Sequence, residues 1–324
     1  MSERYARQML LPEVNAAGQA RLGAATVLVV GAGGLGSPVL QYLCAAGVGR
    51  LLILDPDRVD ESNLHRQPLY RMSDLGEPKA RAAAAALGLL NPQVSAEGIP
   101  LRLTPANAAH WVARAELIID AADSLAVTYM LSDECLRQGR PLVSASVLAL
   151  EGYVGAFCGG APSYRALFPK MPHQAGSCAQ SGVLGSAVGV IGALEAHLAL
   201  ALLLELTPTV LGRLVRVDFR TLRFGGFSFA NAPEPHEPAL RFIAPEEVSA
   251  ADLVVDLRTL TEAPVSPFPN ALRVSVDQIE AVGLSAGSAP RIVLCCRSGV
   301  RAWRAGEALK RTGHADLALI ALGD

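Results

Sequence analysis

A glycine-rich turn after an apolar run constrains this chain more than any other feature. It reads Val29-Val30-Gly31-Ala32-Gly33-Gly34-Leu35-Gly36, the G-x-G-x-x-G spacing that carries a buried strand into a helix. Backbone at such a turn can approach a phosphate, and the helix N-terminus behind it adds positive potential. Alone, the turn does not separate a dinucleotide from a triphosphate. A second apolar run, residues 51–54, then ends at Asp55, where such folds hold a ribose hydroxyl. Asp57 follows, and then Ser62-Asn63-Leu64-His65-Arg66-Gln67. A second acid, an Asn and an Arg so close to the strand end suit a triphosphate and its metal better than a nicotinamide. A nicotinamide turn and a solvated charged loop are the competing readings.

Strand and helix alternate along the first 229 residues, which predicts an α/β fold with a doubly wound, mostly parallel sheet. Residues 20–30 and 50–55 are expected as buried parallel strands, with a helix over 37–46 between them. Residues 79–90 are strong helix formers, stopped by Asn91-Pro92. Strands are expected at 117–120 and 142–146, and at 215–219 and 223–229 to close the unit. Residues 230–239 contain Pro233, Pro235 and Pro238 and read as an extended linker. The pattern restarts over 240–324 as a short α/β unit, with strands at 252–258, 292–295 and 317–321 and a helix over 300–312.

The chain has 324 residues, 51% apolar but only 5% aromatic, so the core is aliphatic. A net charge of −2 excludes nucleic-acid binding by bulk charge. The six cysteines form no C-x-x-C pair, which points to a reducing, cytoplasmic compartment rather than a disulfide framework. Residues 182–206 are apolar enough to span a bilayer, but Glu195 and His197 lie in their middle. Ionisable groups are costly there, so a buried helix and no membrane partner are expected.

Taken together, Arg4-Tyr5-Ala6-Arg7-Gln8, Gly31 to Gly36, Asp55 to Gln67, Gly76 to Lys79, Asp123 and the Cys178 to Gly185 segment resemble the E1-like adenylyltransferases of the MoeB/ThiF/HesA family. These enzymes activate ubiquitin-like sulfur carriers. The resemblance covers residues 4–228. Leu253 to Arg258 and Cys296-Arg297-Ser298-Gly299-Val300-Arg301 resemble a rhodanese sulfurtransferase, so the whole resembles the fused members of the family.

The resemblance implies a Rossmann-like ATP site with Mg2+. Gly34 touches ATP, Asp55 holds its ribose, and Ser62, Asn63, Leu64, His65, Arg66 and Lys79 line the phosphates. Asp123 stands near Mg2+, with Ser124 where the family usually has Asn. Arg7 matches an arginine that reaches a neighbouring subunit's ATP, which implies a homodimer. Cys178 matches a loop cysteine that can link covalently to the carrier. Cys296 would carry a persulfide in a loop whose N–H groups, with Arg297 and Arg301, favour a thiolate. Cys295 would serve as a structural thiol or a resolving one.

The family commonly carries two C-x-x-C pairs that bind zinc. Here the first reads Ser163-Tyr164-Arg165-Ala166 and the second falls in the cysteine-free linker, so no structural zinc is expected. The implied partners are a carrier ending in Gly-Gly and a persulfide donor such as a cysteine desulfurase. The implied chemistry is adenylation of the carrier's C-terminal glycine, then sulfur transfer. Two alternatives stand: a dehydratase of the tRNA threonylcarbamoyladenosine type, and a nucleotide-binding scaffold with a degenerate rhodanese module.

Overall fold

The computed structural model describes residues 3–172, 182–235, 240–281 and 291–323. Its first sheet contains β1 (Thr26–Val30), β2 (Arg50–Leu54), β3 (Ser95–Ile99), β4 (Leu117–Asp120), β5 (Pro141–Leu148), β6 (Glu151–Cys158), β7 (Arg213–Asp218) and β8 (Arg223–Ser228). The strand order is β3-β2-β1-β4-β5-β6-β7-β8. Pairing is parallel from β3 to β5 and antiparallel from β5 to β8. The doubly wound part therefore ends at β5, and a meander extends it. Val27, Leu28 and Val29 of β1 expose nothing, as a central strand covered on both faces requires.

The strand expected over 20–30 begins only at Thr26; residues 15–24 form helix α1 (Asn15–Ala24) instead. That stretch has no β-branched residue to favour extension, and it buries one face through Gly18 and Leu22. Helices α2 (Gly36–Ala46), α3 (Lys79–Leu90), α4 (Pro105–Ala113) and α5 (Leu125–Gln138) connect the parallel strands. A single turn, α6 (Tyr164–Leu167), follows β6.

The long apolar segment is α7 (Gly185–Leu203), which packs on α2, β5 and β6. Among the described residues it is the one helix long and apolar enough to cross a membrane. Glu195 at its middle is fully buried, and neither carboxylate oxygen has a hydrogen-bond partner. Burial, with Asp120 nearby, pushes this carboxyl well above its ordinary value of 4.5. A folded state that holds this proton while the unfolded state releases it loses stability as pH rises above that ordinary value, up to the folded pKa. Replacing the acid with an apolar side chain of similar length removes the penalty. Glu195→Met is therefore expected to stabilise by about 1–3 kcal/mol at pH 8 and by less at pH 5, measured as paired thermal melts.

The second unit contains β9 (Arg241–Phe242), β10 (Leu253–Asp256), β11 (Leu272–Arg273), β12 (Ile292–Cys296), α8 (Val300–Arg311) and β13 (Leu317–Ala321). Its sheet, β11-β10-β12-β13-β9, is wholly parallel. The units are not held apart. One apolar cluster runs from Tyr129 and Met130 of α5 to Phe242, Leu294 and Trp303 of the second unit.

Candidate active site

The glycine turn leaves β1 at the carboxyl edge of the sheet. Gly31 has φ +99, and a Cβ there would stand 2.6 Å from the Ala121 carbonyl oxygen. No larger residue fits, which brings the turn against the end of β4. Asp55 braces it: the Ala32 N–H donates to Oδ2 at 2.7 Å and the Asp57 N–H to Oδ1 at 2.8 Å. Only 5% of Asp55 is exposed, and burial raises its carboxyl above the ordinary 3.8. Its visible work is thus to fasten the turn, leaving one lone pair on each oxygen for a ribose hydroxyl. Tyr70, which no sequence motif marks, pins the same turn by donating to the Ala32 carbonyl at 2.6 Å.

Residues 60–67 form a polar wall beside the turn. Asp60 caps a short 3-10 turn, accepting from the Ser62 N–H at 2.9 Å. Asn63 donates to the Ser62 hydroxyl at 3.0 Å and accepts from Gln67 Nε2 at 3.0 Å. Gln67 is 3% exposed, and its Oε1 has no partner. Arg66 lies half-buried, within 2.8 Å of His65 Nε2, and Gly34 sits between its side chain and Val188 of α7. Leu64 packs on the core, which anchors the wall. Lys79 opens α3, buried, with Nζ 2.9 Å from Asp57 Oδ2. The structure therefore brings Gly34, Asp55, Ser62, Asn63, Arg66 and Lys79 to one edge, and adds Asp57 as the counter-ion of Lys79.

Asp123 follows the end of β4 at the same edge, exposed, ahead of Ser124, the N-cap of α5. Beneath it Asp120 is fully buried, accepts from the Ser144 hydroxyl at 2.8 Å, and is pushed up to about 6, chiefly by burial. Arg7 lies elsewhere. Its segment packs on the far end of α2: Gln8 donates to the Ala46 carbonyl at 2.9 Å, and Tyr5 abuts Gly47. The helix places its two ends about 16 Å apart, so Arg7 stands away from its own chain's glycine turn.

In the second unit, Cys296 ends β12 and is fully buried. Its Sγ accepts from the N–H groups of Gly299 at 3.2 Å and Ala302 at 3.4 Å. The two donors form a shallow cradle on one side of the sulfur. Ser298 and Arg297 are exposed. Arg301 is not turned onto the sulfur as a free charge. It is fastened to Glu262 at 2.7 and 2.8 Å and to the Leu257 carbonyl at 3.0 Å. Cys295 faces the opposite side of the strand, among Val254, Val293, Ala318 and Ile320. Burial, with Asp256 beside it, pushes that thiol up to about 12.

Residues 5–239 match the ThiF family. The chain belongs to the ThiF family. A Thermus thermophilus protein named sulfur carrier protein adenylyltransferase is 46% identical over 67% of this chain and 83% of its own. A Bos taurus protein named adenylyltransferase and sulfurtransferase MOCS3 is 39% identical over 86% of this chain and 70% of its own. A Yarrowia lipolytica protein named adenylyltransferase and sulfurtransferase UBA4 is 31% identical over 96% of this chain and 89% of its own. Among solved structures, Escherichia coli MccB with ATP aligns at TM-score 0.62 and 20% identity over 72% of this chain and 73% of that one. That likeness concerns the fold alone.

Two positions tied to the family remain. Cys178 lies outside the described residues. The positions of the first expected zinc pair hold Ser163 and Ala166 instead of thiols. The Ser163 N–H and hydroxyl each donate to Glu234 at 2.6 Å, so a hydrogen-bonded contact ties this segment to the start of the linker. No group of three metal-ligating side chains occurs among the described residues.

Proposed function

We propose that this ThiF-family chain adenylates the C-terminal glycine of a ubiquitin-like sulfur carrier and then converts it to a thiocarboxylate. One observation carries the reading: the polar edge around Arg66 and Lys79 and a thiol cradled by two N–H groups occur in one chain whose two units pack together. The names of the relatives support it.

The carrier's carboxylate attacks the α-phosphorus of ATP, giving an acyl-adenylate and pyrophosphate. Arg66 grips phosphate bidentately, whereas Lys79 exchanges Asp57 for phosphate as a point charge. Asp55 orients the ribose while holding the turn. Arg7, remote from its own chain's turn, serves the site of a second copy in a homodimer. Asp123 is a single exposed carboxylate, which fits Mg2+ because that ion takes most of its ligands from phosphate and water. When bound, Mg2+ offsets the charge of the triphosphate.

Cys296 receives sulfur from a persulfide donor of the cysteine desulfurase class. The terminal sulfur forms a C–S bond to the acyl carbon as the C–O bond breaks and AMP leaves with the electron pair. A second thiol then attacks Cys296 Sγ, releasing the thiocarboxylate and leaving a protein disulfide, which a cytoplasmic thiol reductant restores. Cys295 points away from the cradle and holds its proton tightly, so Cys178 takes that role.

The test is ATP–pyrophosphate exchange with a carrier ending in Gly-Gly. Exchange that depends on the carrier is expected. Exchange without any carrier contradicts the reading. Elemental analysis of the purified protein is expected to give well under one zinc per chain, because the first pair offers a hydroxyl and a methyl group. One zinc per chain overturns that expectation.

A further inference from the structure

We infer that sulfur is handed over in cis, with the Cys296 and Asp123 of one reaction on the same chain, and that Arg165 is the positioning residue that seats the second unit for it. The inference rests on the adenylation and sulfur-transfer reading above.

Two separate contacts put the Cys296 loop over the carboxyl edge of the nucleotide sheet. Gly299, at φ +86, backs onto the first turn of α5. A Cβ there would stand 3.2 Å from that of Ala126 and 2.7 Å from Phe242. Ala126 is fully buried and follows Asp123 by three positions. On the other side, the Gly323 N–H donates to the Arg297 carbonyl at 2.8 Å. A Cβ on Gly323 would stand 2.7 Å from the Arg102 guanidinium. Arg102 lies in the loop between β3 and α4, at the same edge as Asp123. The loop that holds the sulfur is therefore seated on segments leaving two strands of its own chain's nucleotide sheet.

Arg165 ties the seat together. It is 6% exposed. Its Nε and Nη2 donate to Asp133 of α5 at 2.5 and 2.8 Å, and Nη2 also donates across the unit boundary to the Leu240 carbonyl at 3.0 Å. Its guanidinium carbon lies 4.8 Å from the ring centre of Tyr129 and 5.2 Å from that of Trp303 in α8. A planar fork makes these contacts simultaneously, which a lysine ammonium does not. Docking matters to the reaction because a unit free on its linker reaches the acyl-adenylate only at its effective concentration, whereas a seated one is already oriented.

The first arm co-produces Asp123→Ala and Cys296→Ala chains in one cell and purifies them together. Thiocarboxylate on a Gly-Gly carrier is expected to stay at the level of either variant alone. Recovery to a sizeable fraction of wild type overturns the cis assignment. The second arm uses Arg165→Met combined with Asp133→Asn, so that no carboxylate is stranded. Carrier-dependent pyrophosphate exchange is expected to stay within about twofold, while thiocarboxylate formation falls roughly tenfold. Arg165→Lys is expected to restore only part of it. Equal loss of both half-reactions, or unchanged sulfur transfer, overturns the positioning role. A wild-type protein that adenylates the carrier and never sulfurates it fails the underlying reading, and the inference falls with it.

Discussion

Cys296→Ala is expected to abolish thiocarboxylate formation while leaving carrier-dependent ATP–pyrophosphate exchange within about twofold of wild type. The expectation follows from where the residue sits. Its sulfur accepts the backbone N–H groups of Gly299 in its own loop and of Ala302 in the first turn of α8. Losing the thiol therefore leaves Arg66, Lys79 and Asp123 as they are. Cys296→Ser separates chemistry from structure. A hydroxyl can accept the same N–H groups but cannot carry a persulfide, so sulfur transfer should fall by at least about 10³-fold with the loop intact. Cys295 offers no bypass, because its side chain is buried on the other face of β12. Intact-mass analysis of the carrier and pyrophosphate exchange, run on the same preparations, check both halves.

Lys79→Ala is expected to lower exchange by about 10²–10³-fold, which corresponds to roughly 3–4 kcal/mol of transition-state stabilisation. Its side chain is 6% exposed and its Nζ lies 2.9 Å from Asp57 Oδ2, whose own side chain is 61% exposed. Stranding so exposed a carboxylate costs little stability. The melting temperature should therefore move by only a few degrees while activity collapses. Lys79→Arg is not expected to rescue, because a planar guanidinium does not fit a site built around a compact ammonium. Thermal melts beside exchange kinetics separate the two effects. A variant that loses stability and activity in proportion would make Lys79 a structural residue.

Much of the nucleotide edge was legible in the sequence because its determinants are local. The helix over 79–90 matches residue for residue, since an alanine-rich run ends at Asn91-Pro92. The glycine turn, the acid at Asp55 and the loop after β12 each need only a few adjacent residues to be recognised. What could not be read depends on distant partners. β6 is interrupted by Gly152 and Gly155, which weaken a strand signal, and its place is set by pairing with β5 and β7. The lysine–aspartate pair joins residues 22 positions apart. Arg301 looked like a free charge for the sulfur until Glu262, in a segment without any motif, proved to hold it. Arg165 draws partners from α5, the Leu240 backbone and α8, and nothing local announces that role.

The deciding measurement is the intact mass of a Gly-Gly carrier incubated with this protein, Mg-ATP and a persulfide donor, beside the same mixture with Cys296→Ala. Wild type is expected to give one sulfur in place of one oxygen, and the variant none. Carrier that is adenylated equally in both and sulfurated in neither would contradict that expectation, leaving an activating enzyme whose second unit transfers no sulfur.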